Sequence, residues 1–242
     1  MSRQAQLAGA TVVVIGGSSG IGLETARLVR ELGADVIITA RNPDRLHRAE
    51  LELGARGAAF DATDHGLLDW FFRELSGPVD HVLVSGSGPY YAPFAELDFD
   101  QARRDVDAHF WTPLQVARNA AEAVRWGGSL LFIGGTGGRR PAVGPVLAAL
   151  TAGLPAMTRS LALDLAPVRV NLIAPGFVDT PLSAAILGSD LDERRTQLGK
   201  TLPIRRVVGP SDVAALAVHL MTNTAVTGAT FDIDGGQQLV ET

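Results

Sequence analysis

The chain contains no cysteine, which excludes disulfides and thiolate chemistry and makes the cytoplasm the default compartment. It has a single lysine, Lys200, and two tyrosines, Tyr90 and Tyr91, so chemistry that needs an ε-amine or a phenol has three residues to draw on. Positive charge is short as well: a net charge of −5 leaves no basic footprint for nucleic acid. No apolar run approaches the ~20 residues of a membrane span, and the first seven residues lack the apolar core of a signal peptide. The five histidines, His47, His65, His81, His109 and His219, are scattered without ligand spacing, so no metal site is expected. What remains is a globular composition, 46 % hydrophobic and 19 % charged over 242 residues, enough to bury a sizeable core.

The most informative stretch is Thr11-Val-Val-Val-Ile-Gly16-Gly17-Ser18-Ser19-Gly20-Ile21-Gly22. An apolar run entering a glycine turn, with a helical pattern over residues 23–32, suits a strand buried on both faces of a parallel sheet. Glycine permits the tight turn, and the unpaired amides of the following helix face a phosphate. The glycine spacing is G-x-x-x-G-x-G. Beyond it, strands are expected at 36–39, 58–60, 81–84, 129–133, 168–173 and 230–233. Helices are expected from Pro43, from an Asp64 N-cap to Leu75, over about 99–125, over 146–165 and over 211–221. Residues 174 to about 210 read as irregular. Six or seven strands alternating with helices, without a linker, predict an α/β fold: one doubly wound, mostly parallel Rossmann-type domain over residues 1–242.

Several stretches together resemble the short-chain dehydrogenase/reductase family, over essentially the whole chain. Gly16, Ser18, Ser19, Gly20, Ile21 and Gly22 match its glycine turn, with Ile15 where the family usually has Thr. Asp61, followed by Ala62, stands where the family's Asp receives the adenine amino group. Ser85-Gly86-Ser87-Gly88 occupies the place of the family's strand-end Asn-Asn-Ala-Gly. The segment 171–180, with Pro175, Gly176, Val178 and Thr180, resembles the one that closes on the nicotinamide carboxamide, and Phe231-Asp-Ile-Asp234-Gly235-Gly236 resembles the C-terminal strand and turn. The resemblance implies a nicotinamide dinucleotide, and charge argues which one. NAD-preferring members carry an acid at the end of the second strand. This chain has Ala40 there, then Arg41 and Asn42. A guanidinium pairs with a 2′-phosphate that an acid would repel, so NADP(H) is the expected cofactor.

The family's catalytic residues are absent. Carried over by the resemblance, the Tyr position is Leu147, the Lys position Thr151, the Ser position Gly134 or Gly135, and the helical Asn position Asp107. A phenol gives up its proton near neutral pH only beside a cation, and neither is present at those positions. Tyr90 and Tyr91, after the fourth strand, are the candidate replacements, against a reading in which Pro89–Pro93 is a packed aromatic rim. Asp107 and His109, two apart on a helix, do not face each other and form no dyad, and His109 is expected to be packed or partly exposed. Thr136, Arg139 and Arg140 sit beside the expected pocket, where two guanidiniums would suit an acidic substrate unless they only solvate a turn. Residues 179–202 hold the usual place of a substrate lid. Three readings stay open: an NADP(H)-dependent oxidoreductase acting on a small carbonyl or alcohol with an unconventional proton donor, a cofactor-binding sensor or partner without turnover, and a non-redox enzyme that reuses the pocket. A homo-oligomer, tetramer or dimer, is expected through the small-residue-rich helix at 146–165, and no nucleic acid or membrane partner.

Overall fold

Side chains alternating along short apolar strands divide the interior into two cores. In β1 (Thr11–Ile15), Val12 and Val14 point to one face of the sheet and Val13 and Ile15 to the other. Both faces therefore need a covering layer. The computed structural model, which describes residues 7–86, 88–139 and 143–240, supplies it with helices on each side. The other strands are β2 (Asp35–Ala40), β3 (Arg56–Ala59), β4 (Val79–Val84), β5 (Val124–Ile133), β6 (Arg169–Pro175) and β7 (Thr230–Ile233). They form one seven-stranded sheet in the order β3-β2-β1-β4-β5-β6-β7, every neighbouring pair parallel. This is the single doubly wound α/β domain that the alternation of elements predicts.

One face carries α1 (Gly20–Glu31), α2 (Pro43–Leu53) and α9 (Pro210–Thr222), through residues such as Ala26, Val29, Leu46 and Ala217. The other carries α3 (His65–Arg73), α5 (Thr112–Ala123) and α6 (Pro145–Asp164), through Leu68, Phe72, Val116 and Leu154. Asp64 caps α3, its Oδ1 accepting from Leu67 N at 3.0 Å. Arg169, buried at the start of β6, donates to the carbonyls of Leu220 (2.6 Å) and Met221 (2.8 Å), closing the C-terminal end of α9.

Three expectations need correction. The helix expected over 99–125 is broken into α4 (Phe99–Val106), a π-helical turn (Asp107–Trp111) and α5, and Val124 and Arg125 already belong to β5. Pro113 has no N–H to continue the ladder, and the Thr112 hydroxyl donates to Asp107 O at 2.9 Å across the wider turn. The stretch expected to be irregular contains α7 (Pro181–Leu187) and α8 (Leu191–Thr201). A reciprocal Thr180–Ser183 cap starts α7; α8 is polar all round with only Leu198 buried, so it carries no apolar stripe. Third, α6 does reach membrane-span length, 20 residues with mean hydropathy 1.4. It lies as one layer of the domain, with Leu147, Leu150, Leu154, Thr158 and Ala162 turned inward.

Candidate cofactor and substrate site

All seven strands point their C-terminal ends to one edge, and a cavity of about 610 Å³ opens there over β1, β4, β5 and β6. Its floor is the β1–α1 turn. Gly16 has φ +83°, and a Cβ on it would stand 2.2 Å from Ser85 O, so only glycine lets β1 and β4 end side by side. Ser19 is the N-cap of α1 but its side chain caps no amide, which leaves the first-turn N–H groups toward the cavity side for a ligand. A phosphate group fits this cradle.

Of the residues expected to hold a cofactor, Gly16, Ser19, Gly20, Ile21, Ser85, Gly86, Pro175, Gly176, Val178 and Thr180 line the cavity. Ser18, Gly22, Arg41, Asn42, Asp61 and Ala62 do not. Gly22 serves the turn itself: a Cβ there would lie 2.3 Å from Gly16 O. The others belong to the open ends of β2 and β3 and the turn before α1. Arg41 is exposed and makes no ion pair among the described residues. Asn42 is committed locally, its Oδ1 accepting from Arg45 N at 2.8 Å as the cap of α2. Asp61 Oδ1 holds the Thr63 amide (3.0 Å) and hydroxyl (2.9 Å).

The opposite wall is apolar. Leu147 is buried and faces the cavity with Leu150, Leu154, Val143, Ile133 and Phe177. Thr151 also lines it, but its hydroxyl turns back to donate to Leu147 O at 2.8 Å. A Cβ on Gly138 would fall 1.4 Å from Thr151 Oγ1, so the turn Gly137–Arg139 sits directly on this side chain. Of the two serine positions, Gly135 has room for a side chain (Pro175 O at 3.7 Å), whereas a Cβ on Gly134 would crowd Leu154 and Leu172 at 3.1 Å.

The remaining candidates separate. Tyr91 lines the cavity. Desolvation of its phenol, with the Asp105 charge adding, pushes its pKa above the ordinary value, so it stays protonated. Tyr90 does not line it; its hydroxyl accepts from Asp98 N at 3.0 Å on the outer loop. Asp107 is exposed and off the wall, and the side chain that this helix sends to the cavity is His109. His109 has a carboxylate partner after all, Asp105 rather than Asp107, with Nδ1 3.1 Å from Oδ1. The four-residue spacing that brings them together is readable in the sequence. Arg139 is spent on a two-pronged ion pair with Asp232, so it solicits no acidic substrate. Thr136 is buried and accepts from Gln238 Nε2 at 3.2 Å. Arg140 and Ser87 lie outside the described residues. Residues Leu182, Ser183, Ile186, Leu187 and Arg194, from the two helices after β6, close the mouth, and Asp179 fastens α8 through Arg195 (2.7 and 2.9 Å).

Fold and cradle together define a dinucleotide-binding α/β domain. Comparison with known proteins narrows this. A family model described as enoyl-(acyl carrier protein) reductase matches residues 15–238. A short-chain dehydrogenase/reductase of Stachybotrys chlorohalonatus is 30 % identical over 245 residues, covering 94 % of this chain and 96 % of that one. Among solved structures, the reductase/Diels-Alderase MalC of Malbranchea aurantiaca superposes with a TM-score of 0.91 at 26 % identity, covering 99 % and 100 % of the two chains. BdcA, solved in complex with NADPH, gives 0.86 at 30 % identity, covering 96 % and 95 %. The chain belongs to the short-chain dehydrogenase/reductase family.

Proposed function

We propose that the protein is an NADP(H)-dependent oxidoreductase that reduces a small, largely apolar carbonyl compound, or oxidises the matching alcohol, without a tyrosine–lysine pair. The observation that carries this reading is that one cavity joins the uncapped α1 amides to an apolar chamber with a protonated phenol on its wall. The NADPH complex of BdcA supports the cofactor. Gly16 to Ile21 hold the pyrophosphate, and Arg41 pairs with the 2′-phosphate at the open end of β2. The segment 175–180 covers the nicotinamide end. When bound, the reduced cofactor supplies a hydride. Leu147, Leu150 and Leu154 exclude water and favour an apolar substrate, while Tyr91 donates a hydrogen bond to the acceptor oxygen. Residues 179–202 act as the substrate lid, and the cytoplasm is the compartment that the absence of cysteine favours. The exposed outer face of α6, with Leu163 82 % exposed, supports assembly with further copies of the chain; a monomer in size-exclusion light scattering removes that part.

A second reading, cofactor binding without turnover, is favoured by the wall at 147 and 151, where Leu147 offers no proton and the Thr151 hydroxyl is turned back onto Leu147 O. One experiment separates the two. Fluorescence titration with NADPH and NADH is followed by stopped-flow oxidation of bound NADPH against a panel of apolar ketones and aldehydes. Tighter binding of NADPH with turnover is the expected result. Binding without turnover across the panel selects the second reading, and binding of neither cofactor overturns both.

A further inference from the structure

The geometry points to Asp105 and His109 as the proton-donating pair of this site, His109 as the catalytic residue and Asp105 as the residue that positions it. The inference rests on the reductase reading above. Asp105 is 3 % exposed, and a buried carboxylate is costly unless it is compensated. Its Oδ1 accepts from Tyr90 N at 3.1 Å and lies 3.1 Å from His109 Nδ1, while Oδ2 is buried with no hydrogen-bond partner among the described residues. A packed structural carboxylate would have both oxygens satisfied. This one is held instead against a ring on the cavity wall.

The tautomer follows from the partners. His109 Nδ1 faces two acceptors, Asp105 Oδ1 at 3.1 Å and Asp105 O at 3.0 Å, so Nδ1 carries a hydrogen and Nε2 is the atom that gains and loses the working proton. The Cδ2–Nε2 edge lies beside Gly86, each atom 3.7 Å from where a Cβ on that glycine would stand, at the end of β4 next to β1. That is the switch point of the sheet, where ligands of doubly wound folds sit. The π-helical turn begins two residues after Asp105 and contains His109; such turns recur at functional sites. Tyr91 senses the Asp105 charge and lines the same cavity, so phenol and imidazole converge on one acceptor.

In carbonyl reduction a bound reduced nicotinamide would supply the hydride for the new C–H bond, and the π electron pair of C=O would move onto oxygen. The Nε2–H bond of the imidazolium breaks and its proton forms the O–H bond. The products are the alcohol, the oxidised nicotinamide and a neutral imidazole still donating from Nδ1 to Asp105. Alcohol oxidation runs the same transfers backwards.

Long-range ¹H–¹⁵N NMR on the uniformly labelled full chain tests the pair directly, with His109 assigned by its disappearance in His109→Gln. The wild type should show the Nδ1–H tautomer, and Asp105→Asn, which keeps the main-chain acceptor but removes the carboxylate charge, should weaken that preference while the other four histidines keep theirs. In single-turnover mixing, His109→Gln should lower NADPH oxidation by at least ~100-fold with NADPH affinity unchanged. An Nε2–H tautomer in the wild type, or a His109→Gln variant as fast as wild type, overturns the inference. A wild-type protein that oxidises no NADPH fails differently: it overturns the reductase reading, and the proton-donating role with it.

Discussion

The wall of the cavity built from β1, β4 and the end of β6 and the wall built from α6 and the turn after β5 belong to one chamber but keep different chemistry. On the first, glycines and helix amides stand where a dinucleotide phosphate needs them, and a Cβ on Gly16 would strike the neighbouring strand. On the second stand leucines and a threonine folded back on its own helix. The contrast teaches that holding a cofactor and moving a proton are separable demands on this fold. Hydride chemistry travels with the cofactor, so the protein must keep the cradle, whereas the proton can come from another element that reaches the same space. Here that element is the π-helical turn carrying His109.

The contrast can be broken from the binding side with the largest effect. Gly16→Ala puts a Cβ on the Ser85 carbonyl at a positive φ, and should weaken NADPH binding by on the order of 100-fold or more, a loss of ~3 kcal/mol or more read by fluorescence titration. A change remote from both walls should touch neither. His81 is buried, bonded through Nδ1 to Ser129 Oγ at 2.9 Å, and its pKa is pushed down to about 4 by desolvation, with the Arg169 charge adding. Between the ordinary value of 6.5 and about 4 the unfolded chain binds a proton that the folded chain refuses, so stability falls as pH drops through that window, by up to ~3 kcal/mol. Urea melts of His81→Asn should show a shallower slope there, with NADPH affinity intact.

Arg41→Asp sharpens the binding side. It should reverse the preference for NADPH over NADH, a swing of roughly 2 kcal/mol for a lost charge-assisted contact and an added repulsion, and leave single-turnover rates alone. Unchanged relative affinities would remove Arg41 from the site. The smallest effect belongs to the reaction side, where Tyr91→Phe removes one hydrogen bond to the acceptor and should slow turnover about 10-fold, without moving cofactor affinity. Tyr90→Phe, whose hydroxyl only holds Asp98 N, should do neither.

Much of this was legible in the residues. The run 11–22, the apolar strands and the Asp64 cap place β1, α1, the sheet and α3, because burial on two faces and capping leave strong local marks. The break in the helix after Val106 and the pair α7–α8 were not, since a π turn depends on a proline's missing donor in three dimensions and α8 buries a single leucine. At the site, the apolar residues around Leu147 and Thr151 are plain in the sequence, but the close packing of Gly138 on Thr151 is not. His109 was visible, and its two-residue spacing to Asp107 rightly gave no dyad; the helical neighbour four residues back, Asp105, was not weighed. Arg139 looked available until the last strand brought Asp232 beside it.

The account's central claim is that the retained cradle and the altered wall act together as an NADP(H)-dependent reductase. The most direct measurement is stopped-flow mixing of the NADPH-saturated protein with apolar ketones, following loss of the reduced cofactor's absorbance in a single turnover. The account predicts oxidation of one equivalent of NADPH per site by at least one ketone, with NADH bound more weakly and oxidised no faster. Failure to bind NADPH, or tight binding with no oxidation by any ketone in the panel, would contradict it.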